Sequence, residues 1–209
     1  MRTIDLQTAS VTVLPVVKGL VSEAEAVSQA FSEIDPEVIA VSISREELDA
    51  LRKREDYDLY VPSDLEIIYQ AFLERFGEVR IPPPAFVRAL EISEHQGAVI
   101  VPLDMNDELY TATYCDKVST FDMIRESFFA RRATGKSYDV STPATFVRSW
   151  DRRVNRSGFR KLEEARERHM ADVLRILARK YRRVLAVVEC ERCEGILALL
   201  EDREAETVK

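Results

Sequence analysis

One α/β domain, built on a mixed and partly parallel sheet flanked by helices, is the fold this sequence predicts, on three observations. Four apolar runs rich in β-branched residues occur near residues 10–17, 37–43, 98–103 and 183–188. Capped helical stretches separate them, so strand and helix alternate through the first hundred residues, the pattern that yields parallel pairs. The chain has 209 residues, of which 46% are hydrophobic and 32% charged, a length and composition suited to one globular core.

Taken in order, "SVTVLPVV" (10–17) is the first strand, and Pro15, which has no N–H, predicts an edge position or a bulge. Ser22 and Glu25 match the S-x-x-E capping box and predict a helix start. "EVIAVSI" (37–43) is apolar enough to be a buried strand, and the pairs Ser44/Glu47 and Ser63/Glu66 repeat the capping box after it. "IPPPAFVRALEISEHQ" enters a helix through prolines, whose missing N–H costs nothing at the first turn. "GAVIVPLD" (97–104) is a third strand with a carboxylate, Asp104, at its exit. Residues 119–155 read as helical pieces broken at "ATGKSYDVSTP". A long helix follows from about Ser157 to Tyr181, its stripe formed by Leu162, Ala165, Met170, Val173, Leu174, Leu177 and Tyr181. "RRVLAVVE" is the last strand and "GILALLE" a closing helix. The domain is expected over 1–202, with a helical insertion at about 105–182 and a frayed tail at 203–209.

The net charge of −7 gives no global pull toward nucleic acid or an anionic membrane. Charge is uneven, however. Residues 125–183 carry 17 Lys and Arg against 7 Asp and Glu, which suits pairing with the acidic remainder of the domain or with a second subunit. No apolar run approaches the ~20 residues of a membrane helix, and the N-terminus lacks a signal-peptide pattern. Three cysteines are too few for a disulfide framework, so a cytoplasmic chain is expected. Only two asparagines, Asn106 and Asn155, and arginine in excess of lysine match a heat-adapted composition.

"VVECERCEGI" (187–196) sets Cys190 and Cys193 in a CxxC just past the last strand. The pair could ligate zinc, with Cys115 and His169 as further donors, although the whole chain holds only three cysteines and two histidines. Alternatively, the two thiols are small side chains buried in a turn, where neighbouring carboxylates raise their pKa. His95 stands at a helix end, where it suits the dipole. "ATGKS" (133–137) lacks the first glycine of a phosphate loop. "SWDRRVNRSGFRK" mixes Trp150 and Phe159 with arginines. Arg148, Arg152, Arg153, Arg156 and Arg160 in and beside it are candidates for binding an anion or single-stranded nucleic acid, while a helix corner with its aromatics in the core explains the same residues.

Three strings carry a family resemblance. "GLVSEAEAV" (19–27) resembles the opening "GTAHVS" of the TraB/pheromone-shutdown family, related to Tiki and EreA/ChaN-like proteins. "PEVIAVSISREELDAL" (36–51) resembles its "DVVAVELDERRYEAL", and "EARERHMADVLRILARKYRRVLAVVECERCEGI" (164–196) is similar to its "ERDRYMA" helix and following "VVGAGHVPGI". The resemblance implies a metal-dependent hydrolase with two GxxH motifs and acidic residues at strand ends. Here Leu20 and Arg192 stand in the histidine positions, Ser42 replaces the glutamate and Met105 an arginine, while Asp104 and Arg166 are kept. The expectation is therefore a member without the family's metal site or cofactor, acting by binding or by self-association, with a homodimer favoured. Two alternatives remain open. One is a metal- or thiol-dependent enzyme rebuilt around Asp104, Arg166, Arg192, Cys190 and Cys193; the other is a polyanion binder acting through 148–161.

Overall fold

The computed structural model describes residues 1–6, 9–53, 61–130, 132–135 and 137–207. Five strands, β1 (Arg2–Leu6), β2 (Ala9–Val16), β3 (Val38–Val41), β4 (Val99–Pro102) and β5 (Arg183–Glu189), form one sheet in the order β1-β2-β5-β3-β4. β2, β5, β3 and β4 run parallel, and β1 is antiparallel to β2. The fold is thus α/β with a mixed sheet, and the four expected strands lie in it together.

β5 is the middle strand, and from Val184 onward all its residues are buried, as a strand covered on both faces requires. Its side chains divide by parity. Leu185 and Val187 meet α1 (Glu23–Ile34), α2 (Arg45–Lys53) and α4 (Pro84–Gln96) through Phe31, Leu48 and Phe86. Val184, Ala186 and Val188 meet Met170, Leu174 and Leu177 of α8 (Gly158–Ala178) and Ile196 of α9 (Cys193–Thr207). Helices therefore cover both faces. α9 enters the 203–209 stretch expected to fray, and Val208 and Lys209 lie outside the described residues, as does Lys136 of "ATGKS".

The insertion between β4 and β5 supplies α5 (Asp107–Lys117), α6 (Thr120–Ala130), α7 (Pro143–Val154) and α8. α7 and α3 (Asp64–Leu73) build a third apolar cluster, with Phe146, Trp150 and Leu73 closing over Val17, Leu20 and Cys190 just past the strand ends. Trp150 belongs to this core, and the Phe159 ring meets Tyr114 edge-on at 6.1 Å.

Two expectations need correction. Pro15 does not mark an edge strand, because β2 lies between β1 and β5. β1 pairs only with Ala9–Val13, so Pro15 faces a stretch with no neighbour on one side, where a missing N–H leaves no ladder gap. The Ser22/Glu25 box does not form: Ser22 is in the αR region without a side-chain cap bond. The chain enters α1 through a turn instead, with Glu23 and Ala24 N–H given to the Leu20 and Val21 carbonyls, which leaves Ser22 helical rather than in the extended conformation a cap needs. The boxes at Ser44/Glu47 and Ser63/Glu66 do form. Val173 of α8 packs against the core as the stripe requires, half-buried at its margin, and Leu174 takes the central place.

Candidate functional site

α8 runs on past the sheet, so its N-terminal half stands over the carboxyl ends of the parallel strands. The buried face that carries Met170 and Leu174 continues backward through Glu167 and Glu163 at helical spacing, and both glutamates are buried. Each strand exit supplies a charged or polar partner: Lys18 after β2, Ser42 after β3, Asp104 after β4, and Glu189 and Arg192 at the end of β5. In open α/β sheets this edge is where ligands bind.

These groups form a ladder of alternating charge. Lys18 Nζ stands 3.4 Å from Glu189 Oε1, and Arg192 Nε donates to Glu189 Oε2 at 2.7 Å. Arg192 Nη1 contacts Glu163 Oε2 as an ion pair, although it makes no geometrically regular hydrogen bond there. Arg166 Nη1 donates to Glu163 Oε1 at 3.1 Å. The same guanidinium closes a fork on Asp104, its Nε 3.0 and 3.2 Å from the two carboxylate oxygens. Three cations thus face three anions, and apart from Lys18 all are buried or nearly so. Burial opposes the Arg166 charge, but Asp104 more than offsets it and holds that pKa above its ordinary value. The Glu189 carboxylate raises Lys18 in the same way. Ser42 Oγ accepts the Glu189 N–H at 3.1 Å and fixes where the strand ends.

The thiols lie beside this ladder without joining it. Cys190 is buried in the third cluster and Cys193 in the core under α8. Cys193 Sγ lies 3.5 Å from the Glu189 carbonyl, and burial, then Glu191, pushes its pKa up to about 12. Burial and Glu191 push Cys190 up as well. All three cysteines are free; Cys115 is exposed on α5 and His169 half-buried on α8, so the four candidate zinc donors are not brought together. Among the described residues no group of three or more His, Cys, Asp or Glu is placed to hold a metal ion.

A cleft of about 320 Å³ opens next to Lys18, between α2, α3 and the segment 79–86. Leu51, Val79, Ile81, Pro83 and Phe86 make its walls mostly apolar. Gln70, Arg80, Glu47 and Glu66 also border it, and two donors stand beside the ladder: Lys18, whose side chain is 43% exposed, and Tyr69, whose hydroxyl has no hydrogen-bond partner among the described residues. Burial keeps the Tyr69 phenol protonated. Sequence reasoning missed Lys18, Tyr69, Glu163 and Glu189. Glu163 alone left a signal, a carboxylate on the extension of an apolar stripe.

The five candidate arginines divide between two places. Arg148, Arg152 and Arg160 line a cavity with Asp151, Glu191 and Glu194, while Arg153 and Arg156 border a smaller hollow with Arg125. The Arg153 guanidinium lies 5.4 Å over the Tyr138 ring.

The positions where the TraB resemblance expects ligands, Leu20, Ser42, Asp104 and Arg192, all follow the carboxyl ends of parallel strands. Compared with protein-family models and with curated protein sequences, the chain gives no match.

Proposed function

We propose that this protein binds a small, largely apolar molecule carrying one acceptor group, a carboxylate by preference, in the cleft beside Lys18. The observation that carries the reading is the contrast at the strand ends. The buried groups there neutralise one another in a ladder, while its exposed end, Lys18, and the unpartnered Tyr69 hydroxyl stand in a neighbouring cleft that is open and largely apolar. Ligand sites of this kind combine apolar walls with a few orienting polar groups. A hydrolase rebuilt around Asp104, Arg166 and the two cysteines would need a free base or nucleophile. Asp104 and Arg166 are instead bonded to each other, and the thiols are held protonated. The proposal would stand for a chain outside the TraB group.

Titration with octanoate, followed by calorimetry, tests the reading. Binding is expected, and Lys18→Met should weaken it about tenfold through loss of a charge-assisted contact. Equal affinity in the variant, or no heat at millimolar octanoate, would overturn the reading.

Self-association is a second reading, favoured by one surface. α6 exposes Phe121, Ile124 and Phe128 along one face, with Phe121 71% and Phe128 59% exposed. A homodimer would bury this face. Phe121→Glu with Phe128→Glu is expected to leave a monomer by light scattering at low and high salt. A wild-type chain that is monomeric at every concentration would remove the dimer. No helix among the described residues is long and apolar enough to cross a membrane.

A further inference from the structure

The cavity shared by Arg148, Arg152 and Arg160 takes no part in the binding proposed at Lys18. It has a volume of about 450 Å³ and lies between α7, the start of α8 and the first turn of α9. Its donors and acceptors do not balance. Arg160 is neutralised by three acids, its Nε donating to Glu164 at 3.3 Å and its other nitrogens lying 3.6 Å from Asp151 and 3.7 Å from Glu167. Asp151 is in turn occupied, accepting from Asn155 Nδ2 at 2.7 Å. Arg148 has only Glu194, at 3.7 Å, beyond hydrogen-bond reach, and that carboxylate is 78% exposed at the rim. The Arg148 Nε is buried with no acceptor among the described residues. Arg152 has no acid partner among the described residues. Two guanidinium groups, from one face of α7, are thus left with donors directed at the same space.

The remaining wall adds donors. The Glu194 and Gly195 N–H groups open α9 and find no acceptor among the described residues, so the positive end of a 15-residue helix meets the cavity. Gly195 leaves room for the Glu167 carboxyl behind it, since a Cβ there would fall 2.1 Å from Glu167 Oε2, and burial pushes that carboxyl up to about 7. Two carboxyls lie inside the cavity: Asp151, held by Asn155 and Arg160, and Glu191, which burial and then Glu189 push up to about 8, so that its repulsion of an anion is weakened near neutral pH.

From this geometry we infer that the cavity is a binding site for a tetrahedral oxyanion, a phosphate group held by Arg148, Arg152 and the start of α9. The class follows from the donors. Two guanidinium forks and backbone N–H groups converge on one acceptor-rich group, for which phosphate has the matching number of oxygens. At about 450 Å³ the space exceeds what the bare ion fills, which leaves room for the body of a phosphorylated small molecule.

Calorimetry at low ionic strength with inorganic phosphate and with ribose 5-phosphate tests this assignment. Both are expected to bind, and Arg148→Met and Arg152→Gln are each expected to weaken binding at least about tenfold. Arg148→Lys keeps the charge and loses the fork, so it should lie between wild type and Arg148→Met. Arg168→Gln, on an exposed part of α8 outside the cavity, should change nothing. Tighter binding of ribose 5-phosphate assigns the site to a phosphorylated molecule, and equal affinity assigns it to the free ion. Arg152 is exposed, so its variant tests the site even where Arg148→Met fails to fold. No binding of either probe at millimolar concentration would overturn the inference, as would an equal loss in Arg168→Gln. Binding of an oligothymidylate without binding of phosphate would replace the site with an extended polyanion surface.

Discussion

Glu163→Ala should lower the unfolding free energy by about 3–5 kcal/mol, among the largest effects of any single change at the strand ends. Glu163 is the middle anion of the ladder and holds Arg166 on one side and Arg192 on the other. Truncation leaves Arg192 and Arg166 facing each other in a site that water scarcely reaches, with Glu189 and Asp104 still bound but one positive charge in excess, and the cost comes from that imbalance. A double replacement, Glu163→Leu with Arg192→Met, removes a cation together with the anion and should recover much of the loss. Urea unfolding measures both. A Glu163→Ala protein within about 0.5 kcal/mol of wild type would show that the ladder is hydrated, as surface pairs are.

Leu174→Asp is expected to prevent stable folding at room temperature. The side chain is fully buried in the core between α8 and the sheet, and a carboxylate there has no partner. The loss should exceed about 4 kcal/mol, a large fraction of a domain's total stability. Val173→Asp, one residue along, should cost much less, because that side chain is half-buried and can turn its charge toward water. Denaturation of the two variants side by side reads the face of α8. Equal losses would mean that the helix is rotated from the orientation described.

The architecture was legible wherever burial wrote a simple period. β3, β4 and β5 announced themselves as apolar runs, and α8 through its stripe. β1 was not read, although Ile4 and Leu6 alternate with exposed Thr3 and Asp5. Five residues hold too few periods to be told from a loop. The cap at Ser22 matched in letters and failed in space, because a preceding backbone turn already holds the serine in the helical region, where its side chain does not reach the Glu25 N–H. At the site, Asp104, Arg166 and Arg192 were singled out individually, but their mutual bonding was hidden. Asp104 and Arg166 are 62 positions apart, and no local pattern encodes which charges the topology will bring together. The cleft was invisible for the same reason, since α2, α3 and the segment 79–86 meet only in the folded chain.

The alternation of the ladder also constrains how this chain can drift. Lys18, Glu189, Arg192, Glu163, Arg166 and Asp104 stand in a row in which the inner members touch an opposite charge on both sides. A lone substitution inside the row passes through a state with an orphaned buried ion, and selection removes such intermediates. Descendants of this sequence should therefore exchange these positions two at a time or leave them alone, while exposed neighbours such as Glu164 and Arg168 wander freely. The six residues form a single heritable character, although the chain order scatters them from position 18 to position 192.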